Sequence, residues 1–484
     1  MLTVVMMAIS LSTFQYEDLI PVGYNQGVIN QPRRAMEADF PSLKDDFTWG
    51  FFVSIYLLGG VLGGLFGFVK SAYRRLPSLS GNLASKFGRR PTLLCNNATF
   101  FASSILFYSA GSVSLLCVSR FISGFGSGLA TALVPTRGSW GSLNQLSIVV
   151  GVLVSQICGI FLLSGTLQEW RSMLTLTAVP SLLQLALCSR IPETPTWLLV
   201  NAGNEDALRS LAYIRKNDII ANQDCTDPLL SDATISSPLP EHTDNTTGPV
   251  LPRVVMDEFQ ALVEATRRSR GESLSLSEIL HKKHLRMPML SILVLQFAQQ
   301  ASGINVATYF STTIFEKLFP LEIAIKLSLV MCIVITTSTV VSLVLIDRLG
   351  RKPLIILSMM TMALSSLLFS TDWGSDKFKV AVLFSFVFNF GLGLGSIPWL
   401  IVPELIPQSA LGPAAGLATG VNWATCYLIA LTSPLGIEKF GMKIFIVFSA
   451  VLVGCSVYVA LGIPETKGRR VEEISCEILS DRSE

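Results

Sequence analysis

The sequence predicts an all-α polytopic membrane protein built as two pseudo-symmetric bundles of six helices. Three observations lead there. Half of the 484 residues are hydrophobic and only 14% are charged, where a soluble domain carries about 25%. The apolar residues fall in continuous runs of roughly 20, the length that crosses a hydrocarbon core about 30 Å thick. Short motifs of the first half return at the same places in the second. Continuous rather than alternating runs also exclude the strands of a lipid-facing barrel.

The same composition removes several function classes. A net charge of +2 gives no basic field able to track phosphates, so no nucleic-acid partner is expected. With three histidines and no His/Cys cluster, neither a metal site nor an enzyme's acid–base pair is expected, and no cofactor. The nine cysteines are scattered without a CxxC pair and read as small packing residues.

Taken in order, the first run covers 1–30. It lacks the basic start of a cleavable signal peptide and reads as a first span. Glu17-Asp18-Leu19-Ile20-Pro21-Val22 interrupts it, and two acids inside a span cost about 2.5–3.5 kcal/mol each. The second run, 47–68, is followed by a long loop at 68–80 that adds Lys70, Arg74 and Arg75. Runs at 92–112, 114–135, 140–164 and 171–190 complete a first bundle over 1–190. The connector near 136–138 is shorter than its counterpart in the second half. These irregularities read as a weakened first-half gate, in either an altered gene model or a divergent member.

Residues 191–285 form a polar stretch: an amphipathic helix at 204–216, a disordered insert over 217–252 rich in Ser, Thr, Asp and Pro, and helical signals at 254–270 and 276–281. Six further runs, at 286–315, 321–346, 353–371, 378–402, 413–435 and 443–463, make a second bundle over 286–464, followed by a short tail at 465–484. The basic loops holding Lys86, Arg89, Arg90, Arg348, Arg351, Lys352 and Lys467 share one side. By the positive-inside bias, that side, both termini and the central loop are cytoplasmic. The acceptor patterns at Asn97 and Asn245 then lie within a helix or on the cytoplasmic side and are silent.

The repeats are specific. Lys86-Phe87-Gly88-Arg89-Arg90-Pro91 returns as Arg348-Leu349-Gly350-Arg351-Lys352-Pro353, and Ile191-Pro192-Glu193-Thr194 as Ile463-Pro464-Glu465-Thr466. Val134-Pro135 matches Val402-Pro403. A six-helix unit duplicated in parallel is the architecture of the major facilitator fold.

Together with Gly23-Tyr24-Asn25-Gln26-Gly27-Val28-Ile29-Asn30, Gln299-Gln300-Ala301-Ser302-Gly303-Ile304-Asn305, Pro398-Trp399 with Glu404, and Asn422-Trp423, these motifs resemble the sugar porter family of the major facilitator superfamily. The likeness is to the facilitative hexose transporters and their fungal relatives, and it spans nearly the whole chain. It implies alternating-access movement of a hexose or related polyol across the plasma membrane or an endomembrane such as the vacuole. The partners implied are a small sugar and the lipid bilayer.

A ring of sugar hydroxyls calls for neutral amides, each both donor and acceptor, and an aromatic platform. Gln145, Gln299, Gln300, Asn305 and Asn422 are the candidate amides and Trp399 the platform. The resemblance further implies salt bridges among Arg89, Arg90, Arg120, Glu193, Asp347, Arg348, Arg351, Glu404 and Glu465 that hold the cytoplasmic side shut when the cavity faces outward and break when it opens inward. Proton-linked relatives carry Asp where Asn25 stands, so uniport is favoured over proton symport. Ile335 and Gly391 stand where hexose carriers have Asn and Glu, so the pocket has lost polar contacts. A non-transporting homologue acting as a nutrient sensor or in trafficking is the alternative.

Overall fold

The computed structural model describes residues 19–72, 88–133, 141–162, 169–187, 192–223, 253–270, 274, 276–371, 374–469 and 473–474. Among them every regular element is helical. The first half holds α1 (Leu19–Gly27), α2 (Arg33–Asp39), α3 (Asp46–Ala72), α4 (Arg89–Tyr108), α5 (Val113–Leu133), α6 (Gly141–Leu162), α7 (Glu169–Thr175) and α8 (Ala178–Leu187). Between the halves come α9 (Pro195–Asn201), α10 (Asn204–Gln223), α11 (Arg253–Arg270) and α12 (Leu276–His281). The second half holds α13 (Lys283–Ala301), α14 (Ile304–Tyr309), α15 (Ser311–Glu316), α16 (Leu321–Leu349), α17 (Arg351–Ser370) and α18 (Asp376–Asn389). A π-helical turn at Phe390–Leu394 leads into α19 (Ile397–Leu405), followed by α20 (Gln408–Phe440) and α21 (Ile444–Gly462).

By length and composition, seven helical stretches among the described residues are able to cross a membrane, the last of them running through both α20 and α21. Of the remaining runs, α4 is a continuous helix of 20 residues that is less apolar than those seven, and the others are helices that are short or broken. The seventh run is cut at Gly303, whose φ of +86° admits glycine readily and side chains poorly. The tenth is widened by the π turn.

Small residues set the close packing inside the first half. Gly59 and Gly63 of α3 face Gly124 and Gly128 of α5, the four-residue spacing that lets helix backbones meet in lipid. A Cβ on Gly63 would stand 2.1 Å from the Phe125 carbonyl oxygen, and one on Gly128 would stand 2.1 Å from that of Gly60. On its other side α3 meets α20 across the halves, with the Trp423 ring over Gly60. Many serine and threonine hydroxyls inside the spans bond to their own helix, as Thr336 does to the Cys332 carbonyl and Thr425 to that of Val421, whereas those of Ser103, Ser104, Ser181 and Ser366 are buried without a partner among the described residues.

Three expectations about the irregular segments change. Residues 19–22 of the expected interruption are helical and belong to α1, while Glu17 and Asp18 lie outside the described residues. Leu19 and Val22 are fully buried, and the Val22 carbonyl accepts from the Tyr56 hydroxyl. Residues 68–72 continue α3 rather than opening a loop. The helix expected at 204–216 continues to Gln223, into the stretch expected to be disordered. Residues 1–18, 73–87, the connector at 134–140 and the insert from 224 to 252 lie outside the described residues.

The linking helices form their own small cluster. Leu199 of α9, Ala207 and Leu211 of α10, and Val255 and Phe259 of α11 pack together. The Arg215 guanidinium grips the Glu258 carboxylate by two hydrogen bonds, at 2.9 and 2.8 Å.

Candidate functional site

A cavity of about 910 Å³, its open mouth included, lies between the halves. It takes in all six residues expected around a sugar: Gln145, Gln299, Gln300, Asn305, Trp399 and Asn422. No carboxylate, histidine, lysine or arginine lines it among the described residues.

The second-half amides are bonded to one another. The Gln300 amide donates to Asn422 Oδ1 at 2.8 Å, and Asn422 donates to Gln299 Oε1 at 2.7 Å and Gln296 Oε1 at 2.8 Å. Asn305 donates to Gln300 Oε1. Gln299 and Gln296 donate outward to backbone carbonyls, Leu394 at 3.0 Å, Gly395 at 2.7 Å and Pro398 at 3.1 Å. The Leu394 carbonyl is available because Pro398, four residues on, has no N–H to return to it. The break in the tenth run therefore feeds the amide cluster.

The first half behaves differently. Gln145 on α6 and Gln26 on α1 face the cavity, and neither side chain has a hydrogen-bond partner among the described residues. Sequence reasoning missed Gln26 and Gln296. The signal for Gln296 was present, since it lies one helical turn before Gln300 in an apolar run. Cys332 and Cys426, expected to be packing residues, are also in the cavity wall, and Asn305 donates to the Cys426 sulfur at 3.2 Å. A second cavity, of about 440 Å³, continues past Thr131 and Trp399 and includes Asn144, whose Oδ1 is buried without a partner.

At the end of the bundle where α3 and α16 begin, the halves are joined directly. Asn30, just after α1, donates to Ser311 Oγ of α15 at 2.6 Å and accepts from the Thr312 N–H at 3.3 Å. Arg34 meets Glu316 at 3.0 Å. The opposite end, where α4 and α17 begin, is the basic end, and its polar contacts fall largely within one half. Arg351, only 9% exposed, pairs with Glu404 at 3.0 Å and more loosely with Asp347 at 3.6 Å. Thr466 donates to Glu404 at 2.5 Å.

Several of the expected gate residues make other contacts in this arrangement. Glu465 accepts from the backbone N–H groups of Arg351, Lys352, Thr466 and Lys467, so it caps the start of α17 rather than pairing with an arginine side chain. Burial works against its charge, but these donors outweigh burial and hold the carboxyl below its ordinary range. Glu193 takes the matching place at α4, accepting from the Arg90 N–H at 3.1 Å. Gly88 and Gly350, with φ of +100° and +93°, make room for these carboxylates. The Arg348 side chain is exposed with no acidic partner among the described residues, and its carbonyl accepts from Lys467 at 2.9 Å. The Arg89 side chain lies outside the described residues.

Arg120 is not at the basic end. α5 starts at the other end, and the 13 residues from Arg120 to Leu133 place it about 20 Å away. It is 1% exposed and donates to the Asn25 carbonyl at 2.8 Å, with the Tyr56 ring 4.5 Å from its guanidinium carbon. The Asn25 side chain donates to the Pro21 carbonyl at 2.9 Å and accepts from Thr177 at 3.3 Å.

This arrangement is that of a known family. The family model described as "Sugar (and other) transporter" matches residues 17–227 and 244–477. The chain belongs to the sugar porter family of the major facilitator superfamily. Among its relatives this sugar porter is 31% identical to the facilitated glucose transporter member 1 of Gallus gallus, over 94% of this chain and 89% of that protein. It is 30% identical to member 4 of Homo sapiens, over 94% and 87%. Its fold matches the proton:xylose symporter XylE bound to 6-bromo-6-deoxy-D-glucose, with TM-score 0.76 and 22% identity over 97% of this chain and 98% of that one. An inward open conformation of the E. coli xylose transporter matches with TM-score 0.71 and 21% identity, over 97% and 99%. This sugar porter is thus a multi-pass membrane protein of a carrier family, not of an enzyme family.

Proposed function

We propose that the protein moves a hexose or related polyol across a membrane by alternating access, as a uniporter. The observation behind this is the cavity itself: amides from both halves and Trp399 meet in a space lined by no carboxylate, histidine, lysine or arginine among the described residues. Neutral amides match sugar hydroxyls as paired donors and acceptors, and Trp399 offers a face for the ring's C–H groups. The relatives named as glucose transporters support the substrate class. The basic end faces the cytoplasm on this reading. With Asn30 joined to Ser311 and Thr312 at the far end, and the second cavity running past Trp399, the described arrangement is a cytoplasm-facing state.

Uniport follows from Asn25. The buried Arg120 donates to the Asn25 carbonyl while its Nε has no partner among the described residues, and the Asn25 amide takes up no proton near neutral pH. Uptake of labelled hexose by the full chain in proteoliposomes tests the reading. Saturable uptake indifferent to an imposed pH gradient supports uniport. Proton movement with sugar overturns uniport, and absence of uptake overturns transport. Asn25→Asp should introduce pH dependence that the native chain lacks.

A further inference from the structure

A sugar drawn into a dry site must find a partner for each hydroxyl, or that hydroxyl is left unpaired. The cavity offers partners on some sides and none on another. Gln26, Gln145 and the amide cluster of α13, α14 and α20 form its polar surface. Elsewhere in the wall α16, which packs against α6, contributes Met331, Cys332 and Ile335, α18 contributes Val387, and the π turn contributes Phe390. A thiol is the only hydrogen-bonding side chain in that set, and it is a weak one.

The polar residues of that wall are committed elsewhere. Ser338 and Thr339 both donate to the Ile335 carbonyl, at 2.9 and 2.8 Å. Ser342 donates to the Leu392 carbonyl at 2.6 Å, and Asn389 donates to that of Ser385 at 2.8 Å. At Gly391 of the π turn a side chain would displace Ser338, whose Oγ would stand 2.0 Å from a Cβ there. α16 closes on the turn at this point, so in this chain the wall is apolar through side-chain choice and the close packing of Gly391 on Ser338.

We propose that the site selects a monosaccharide deoxygenated along one edge, with its hydroxyls toward the amides and C–H or methyl groups toward the wall of α16 and α18. This rests on the transport reading above and narrows its substrate class. A fully hydroxylated hexose would turn at least one hydroxyl to a surface that cannot bond it, while a deoxy sugar buries apolar area there instead.

The test uses the full chain in proteoliposomes, comparing D-glucose with its monodeoxy derivatives. The expected result is at least one derivative with a KM about tenfold below that of D-glucose, and a preference that shrinks or reverses in Ile335→Asn. Ile335→Thr is the milder second variant, should the first fold poorly. D-glucose equalling or surpassing every derivative would overturn the proposal while leaving sugar transport standing. A deoxy-sugar preference unchanged in both variants would overturn the assignment to this wall. Uptake of none of these sugars would overturn the transport reading and this one with it.

Discussion

The two halves share a frame and use it differently. At the basic end, Glu193 and Glu465 occupy matching places, each turned to the first backbone N–H groups of a helix beside a left-handed glycine. Only the second half adds a described Arg351–Glu404–Thr466 cluster to that cap. In the cavity the second half presents amides already bonded to one another, while Gln26 and Gln145 of the first half stand uncommitted. A duplicated scaffold has therefore kept its structural joints and divided its chemistry: one half has its cavity amides bonded to one another, and the other leaves them uncommitted.

The largest effect expected from breaking this asymmetry is in the ion pair. Arg351 and Glu404 are 9% and 17% exposed, and removing one partner of such a pair costs about 3–5 kcal/mol. Glu404→Ala should lower the thermal unfolding temperature in detergent accordingly. Arg90→Ala, at a place where the described contact is made by the backbone, should change stability by less than about 1 kcal/mol.

In the cavity, Gln300→Ala strips partners from Asn305 and Asn422, so it should cost about 1–3 kcal/mol of stability and reduce uptake at least tenfold. Gln145→Ala breaks no described bond and should raise KM with the unfolding temperature unchanged. Equal stability losses in the two variants would erase the distinction between the halves.

A pH scan sharpens the comparison further. The Glu465 carboxyl is held below its ordinary range in the folded protein, so its contribution is present above the unfolded carboxylate value and is lost as pH falls through the folded one. Stability should fall on acidification below about pH 4.3, and Glu465→Gln should flatten that part of the curve. The smallest expected effect is at the far end. Asn30→Ala removes a hydrogen-bonded contact worth about 0.5–1.5 kcal/mol and should shift the conformational balance by tenfold or less, read as spin-label distances across that end.

The fold was legible because lipid demands long apolar helices and the chain repeats its own loop motifs. The cavity amides were legible too: a glutamine or asparagine inside an apolar run has to face water or a partner. What periodicity could not supply was the partner. Whether Gln299 meets a ligand or the Leu394 carbonyl depends on a proline that releases that carbonyl a hundred residues away in the chain. Arg120 was misplaced because charge suggested the basic end, whereas the direction of α5 and a backbone carbonyl decide its position. Glu465 was read as an ion-pair partner because backbone N–H groups leave no mark in a sequence.

The interlocked amides bear on the half of the cycle that no sugar accompanies. On the uniport proposed above the protein must reorient empty as often as loaded, and an empty cavity of bare amides would be stranded in a poorly hydrated space at each passage. Here Gln296, Gln299, Gln300, Asn305 and Asn422 serve as one another's ligands. The unladen protein can return without leaving that cluster unpaired, and an arriving sugar must exchange bonds with it rather than merely add them. Such a site favours rapid turnover over tight retention.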